Sequence, residues 1–283
     1  VGQGLILFLG GLFLYKTKHM DLAGIISCAG VFSVFFGFMY GSFFGFEDVL
    51  KAIWLKPMNQ MMDVPLVGRL NAVFVIAIGF GMFIILICMI FNIINSIRNK
   101  DTEKAWFDSN AVAGLVFYGS IVLTVGLFIS GKKLPATAVL VVMFGVPLLL
   151  MFLKEPLTNL VEKKSEIFPE QKGMFFVQSF FELFEVLLSY LSNTLSFLRI
   201  GAFAVSHAAM MEVVLMLAGA TNGGSPNWIV VVLGNIFVCA MEGLIVGIQV
   251  LRLEYYEIFS RFYAGNGREF QPFMKALRKS AQK

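Results

Sequence analysis

The chain has 283 residues, of which 58% are hydrophobic and only 14% charged, with a net charge of +4 and a mean hydropathy of +0.81. A soluble domain carries roughly 45–50% apolar and about 25% charged residues, so these values exclude an ordinary soluble domain. The three cysteines, Cys28, Cys88 and Cys239, are odd in number and buried in apolar runs, which excludes a disulfide framework and a zinc site, and the basicity reads as membrane topology rather than nucleic-acid binding.

Seven hydrophobic segments follow one another, at about 2–15, 23–45, 70–97, 106–130, 134–153, 171–218 and 226–262. Most approach or exceed the roughly 20 residues that cross a bilayer as a helix. They must be helices because lipid offers the backbone no hydrogen-bond partner. The expected fold is an all-α polytopic membrane protein, a helical bundle with two long, strongly tilted C-terminal helices.

Residues 3–15 are apolar but too few to span, and neither an initiating Met nor a basic leader precedes them. They read as the end of a helix that begins upstream. In the second segment Gly37, Gly41 and Gly45 recur every fourth residue, a spacing that places them on one helix face for close packing. Segments 1–153 are expected to form a supporting bundle. Residues 154–170 read as a cytoplasmic loop and 263–283 as a cytoplasmic tail; the charges Arg261, just before it, and Arg268 read as solvated. The last two segments run roughly 48 and 37 residues, about 70 and 55 Å as helices. The hydrocarbon core is only about 30 Å thick, so these helices tilt, lie on the surface or project into water.

Topology follows from the basic residues. With alternating crossings, one side gathers Lys16, Lys18, Arg98, Lys100, Lys104, Lys154, Lys163, Lys164, Lys172 and the tail from Arg252 onward. The other side holds only Lys51, Lys56, Arg69, Lys132 and Lys133. The richer side is cytoplasmic by the positive-inside rule.

The last two segments carry polar stripes. Glu185, Ser189, Ser192, Ser196 and Arg199 are spaced four, three, four and three, which is one helix face. Asn193 lies beside that stripe, Glu182 extends it inward, and Ser206 and His207 continue it outward. In the final segment Asn235, Glu242, Gln249 and Arg252 are spaced seven, seven and three, again on one face. Each stripe holds one arginine at membrane depth. Arginine does not lose its proton at accessible pH, and its insertion costs about 2.5–3.5 kcal/mol on translocon scales. Such a face needs water, a carboxylate or both. A fixed positive charge between two polar clefts holds a mobile carboxylate ionised and blocks direct passage of cations.

The stretch SNTLSFLRIGAFAVSH at 192–207, with Glu242-Gly243 and LRLEYYEIFSRFYAGNGREFQPF at 251–273, resembles the membrane domain of the a/I subunit of V-type and A-type rotary ATPases. The resemblance is specific over about 171–273. It implies a missing first membrane helix and a missing cytoplasmic N-terminal domain. Arg199 and Arg252 would face the carboxylates of a rotor ring of proteolipid subunits, and peripheral stalk subunits would bind through the missing domain. Glu185 would belong to the cytoplasmic half-channel, Glu242 and His207 to the outer one. Gln249 and Ile200 depart from common eukaryotic patterns, which marks the prokaryotic branch and removes a protonatable group at 249. The implied function is ion translocation, proton or sodium, coupled to ATP turnover elsewhere in the complex, in a prokaryotic plasma membrane. No cofactor is expected.

Blander readings stand beside these. Arg252 could snorkel to the interface; Glu185 and Glu242 could simply pair with the arginines; His207 and the stripe's serines and asparagines could cross-link helices; Glu182 and Glu212 could be interfacial charges. Gly126–Lys133 nearly fits a phosphate-binding loop but lacks the hydroxyl for magnesium and follows a membrane helix rather than a strand. The rival class is a self-contained secondary transporter or channel with an Arg–Glu gate, which would be expected to show broken midplane helices and inverted repeats.

Overall fold

The computed structural model describes residues 1–46, 53–54, 61–64, 68–99, 101, 105–133, 135–161, 172–219, 226–263 and 265. Arg268, most of the 154–170 stretch and several lysines of the topology count lie outside these residues.

The described chain is a helical membrane protein. Helix α1 covers Gly2–Lys18 and α2 covers Asp21–Tyr40. A small antiparallel hairpin follows, β1 Met61–Val64 with β2 Gly68–Asn71. Then come α3 Ala72–Arg98, α4 Val112–Ile129, α5 Thr137–Phe152 and α6 Lys154–Val161. The last long pieces are α7 Lys172–Ser196, α8 Leu198–Leu217 and α9 Trp228–Leu253. A π-helical turn over Glu254–Phe259 and the short α10 Ser260–Phe262 extend α9.

Among the described residues five helices are long and apolar enough to cross a membrane, or six if the bent pair α5–α6 is one span. Two match the expected long ones: Gly173–Leu217, 45 residues, and Trp228–Phe262, 35 residues. Residues α5 and α6 meet at a bend of 74°, so the stretch read as a loop after 153 opens with a helix. At 17 residues α1 is about 25 Å long, short of the hydrocarbon core.

Local chemistry sets several ends. Asn71 and Asn227 cap α3 and α9, each side chain accepting from the backbone N–H two residues on at 3.1 Å. Helix α2 stops at Tyr40 because Gly41 turns left-handed at φ 69°. The glycine expectation is corrected here. Gly41 and Gly45, the latter at φ 90°, lie beyond the helix and shape a turn, so only Gly37 of the three packs from a helix face. Tight α1–α2 contact comes instead from Gly4, Gly11 and Gly30. A Cβ on Gly30 would sit 2.5 Å from the Phe8 backbone nitrogen.

The main core joins α3, α4, α5, α7 and α9 around Ile85, Met89, Tyr118, Tyr190 and Phe197. Phe197 is fully buried. It is the one residue between α7 and α8, and its ring fills the space left by Gly81 on α3. This break positions the first turn of α8, which carries Arg199.

Candidate ion-path site

Parts of the two polar stripes are brought together, while Glu185, Ser189, Ser192 and Arg252 stay exposed. Helices α8 and α9 pack against each other in antiparallel sense, with a ladder of polar contacts along the seam. His207 Nδ1 lies 2.6 Å from Glu242 Oε2. About two turns along, Arg199 donates to the Gln249 backbone carbonyl at 3.4 Å and to Ser196 Oγ at 3.3 Å. Ser196 in turn donates to Glu257 Oε1. At the far end, Gln3 of α1 donates to Asn235 Oδ1 at 2.7 Å. Asn235 is buried and its amide also donates to Val231 O at 2.8 Å.

Glu242 therefore pairs with a histidine, not an arginine. Among the described residues no carboxylate pairs with Arg199. Arg252 is exposed on the same helix as Glu242. Glu185, Ser189 and Ser192 are exposed along one side of α7, while Ser179, Tyr190, Thr194 and Phe197 turn inward. Asn193 is half-buried and bonds Ser189 Oγ at 3.3 Å. Glu182, read as a continuation of the stripe, instead pairs with Lys154 of α6; this ties α6 to α7. Glu212 is exposed.

Two cavities flank Arg199 along α7 and α8, the first of mixed and the second of mainly polar lining. The first, about 230 Å³, is lined by Gln3, Ser33, Tyr40, Ser42 and His207. The second, about 300 Å³, is lined by Ser109, Asn110, Ser189, Asn193, Ser260 and Arg261. Along the helices Arg199 stands eight residues from His207 and ten from Ser189, or about 12 and 15 Å.

The solvated reading of Arg261 is corrected. It is 7% exposed, donates from Nη1 to Asn110 Oδ1 at 2.8 Å and from Nε to Glu257 O at 3.1 Å, and lies 6.0 Å from the centre of the Tyr190 ring. The π turn brings Arg261 inward. A π turn accommodates one more residue than an α turn, so side chains beyond it slip in phase. That slip has no hydropathy signature. Gln3 was also missed as a site residue, because its partner lies 232 positions away. The one available signal was its being a lone polar residue in an apolar run.

Comparisons with known proteins agree with this layout. Residues 154–275 match the model of the V-type ATPase 116kDa subunit family. The A-type ATP synthase subunit I of Aeropyrum pernix is 27% identical over 96% of this chain and 44% of that protein. Its counterpart from Saccharolobus solfataricus is 42% identical over 100 residues, 32% of this chain and 14% of that protein. The V-type proton ATPase 116 kDa subunit a 1 of Caenorhabditis elegans is 31% identical over 37% of this chain and 13% of that protein. The chain thus spans less than half the length of these relatives. The family match falls on the stretch that holds the helices of the polar seam, and the chain is similar there to the a/I subunits of V-type and A-type rotary ATPases.

Proposed function

We propose that this chain is the ion-path part of a rotary-ATPase stator subunit, supplying two half-channels and the arginines that face a rotor ring. The observation that carries the reading is the setting of Arg199. Its guanidinium, without a carboxylate partner among the described residues, stands between two cavities on one helix line, each with polar groups in its wall. A fixed cation there holds a passing carboxylate ionised, because the charged form of the acid is the one it attracts. It also repels a free cation moving from one cavity to the other.

The remaining roles follow from the same arrangement. A ring carboxylate would load from one cavity, travel round, and release into the other after meeting Arg199 and Arg252. Exposed Arg252 and the exposed Glu185–Ser192 side of α7 are available to such a ring. His207 and Glu242 would serve the outer half-channel; Glu185, Ser189 and Asn193 the cytoplasmic one. Gln249 and Ser192 would line the passage beside the arginines, while Asn235 and Gln3 would hold the outer mouth. The C-terminus would be cytoplasmic and the membrane a prokaryotic plasma membrane. The transported ion would be a proton or sodium, with the choice residing in the ring. Peripheral stalk subunits would bind a region outside this chain, and ATP would be turned over elsewhere in the complex.

The test is Arg199→Ala and Arg199→Gln in the intact complex, read as ATP-driven ion transport into vesicles. Abolished transport with normal assembly is expected. Undiminished transport would overturn the stator reading, and transport by this subunit without any ring would favour a self-contained carrier.

A further inference from the structure

Glu257 is a buried carboxylate that no part of the foregoing scheme uses. It is 6% exposed, on a helix extension otherwise rich in exposed aromatics. Oε1 accepts the Ser196 hydroxyl, and Ser196 also accepts from Arg199. Oε2 is buried without a hydrogen-bond partner among the described residues. One turn on, Arg261 is in the same condition. Its Nη1 is bonded to Asn110, its Nη2 is buried without a partner, and its side chain lines the second cavity. The backbone between them is the π-helical turn, which brings both side chains inward.

Burying an acid costs several kcal/mol unless it is paired and hydrogen-bonded. A purely structural carboxylate would be expected to have both oxygens satisfied, since breaking or leaving half-made such a network is worse than an apolar replacement. Here one oxygen is anchored and the other is buried without a partner among the described residues. The anchored side leads through one hydroxyl to Arg199; the next turn leads through Arg261 to a polar cavity. Of the charged and titratable groups, Arg261 on the next turn acts on it directly, Arg199 on α8 is reached through Ser196, and Tyr190, Tyr118 and Cys88 surround Arg261. A π turn is a wide, costly departure from α geometry that recurs at functional sites, and at this position its effect is to keep Glu257 and Arg261 inward.

We propose that Glu257 is a cation-accepting carboxylate of the ion path, set between the Arg261-lined cavity and the Arg199 guanidinium. The inference rests on the stator reading. In the proton case the carboxylate takes one proton arriving by the cavity and becomes a neutral acid. It then gives that proton to the partner carboxylate held near Arg199 and regains its charge. No other bond forms or breaks and no electrons are exchanged. In the sodium case the same oxygens would be a transient ligand. Ser196 is the positioning residue, holding one oxygen while the other stays unpartnered.

The experiment compares Glu257→Gln, Glu257→Asp, Ser196→Ala and Arg199→Ala in the intact complex. Two quantities are read: ATP-driven membrane potential in vesicles, which is blind to the ion's identity, and co-purification of the ring. Gln keeps an oxygen for Ser196 but carries no charge. The proposal expects E257Q to lower transport by roughly tenfold or more with the ring retained, E257D to restore a measurable part, and S196A to lose less than E257Q. Near-normal transport by E257Q, with R199A inactive, overturns the role of Glu257 and leaves the stator reading standing. Loss of the ring together with transport in E257Q assigns Glu257 to structure and also overturns it. Normal transport by R199A overturns the stator reading itself.

Discussion

The imidazole Nδ1 of His207 and Glu242 Oε2 meet at 2.6 Å across the α8–α9 seam, beside the cavity that Gln3 and His207 line. Both side chains are partly exposed, His207 at 36% and Glu242 at 19%. The two lie on helices long and apolar enough to cross a membrane, where an ionisable pair is a candidate for the ion path. Glu242→Gln keeps the shape and removes the charge; under the proposed function it lowers ATP-driven transport by roughly tenfold or more. His207→Ala keeps the Glu242 carboxylate and is expected to lower transport less. Initial rates at saturating ATP measure both. A deeper loss in His207→Ala would reverse the assignment, making the histidine the carrier and Glu242 its support.

Arg252 separates function from stability. It is exposed, and surface substitutions away from packed or bonded groups change stability within roughly 0.5 kcal/mol. Arg252→Ala should therefore leave the thermal unfolding of the detergent-solubilised subunit almost unchanged while cutting transport in the complex. Thermal unfolding and vesicle transport measured on the same preparation check this. Unchanged transport would return Arg252 to an interfacial role.

Much of this was readable before the structure. The two polar stripes are periodic in sequence, and periodicity is what an isolated helix reports. Glu185 with Ser189 and Ser192 stays on one side of α7, and Asn235 with Glu242 stays on the seam side of α9. What the sequence could not show depends on departures from the ideal helix. The break at Phe197 depends on Gly81 from another helix leaving room for its ring. The inward turn of Glu257 and Arg261 depends on the π segment. The Gly37, Gly41 and Gly45 spacing mimicked a helix face, yet Gly41 used its freedom at positive φ to end the helix.

Arg261 should matter for folding. Its guanidinium links the π segment to Asn110, which precedes α4, and approaches the Tyr190 ring of α7. Arg261→Lys is not conservative there, because an ammonium does not reproduce the planar fork that bonds Asn110 and Glu257 O together. Asn110→Ala leaves a buried guanidinium donor unsatisfied, at a cost of roughly 1.5–3 kcal/mol. Arg261→Ala removes the packing as well and is expected to cost more. Thermal unfolding in detergent should rank wild type above N110A and N110A above R261A. Equal stability for all three would mean the cluster is held by its neighbours alone.

Adjacent glycines on α1 give a prediction of opposite sign. Helices α1 and α2 approach so closely that a Cβ on Gly11 would stand 2.7 Å from the Ser27 backbone nitrogen, whereas one on Gly10 meets nothing within 4 Å. Backbone cannot yield as a flexible side chain can, so Gly11→Ala must push the two helices apart. Overpacking of this kind costs roughly 1–3 kcal/mol. Gly10→Ala faces open space on the same helix and gains helix propensity, about 1 kcal/mol on peptide scales. The pair shares its neighbours in sequence, its depth and its chemistry; only the facing backbone differs. Thermal unfolding of the two variants should move in opposite directions, G11A down and G10A level or up. A matched fall in both would show that the close approach of α1 to α2 does not govern this part of the bundle.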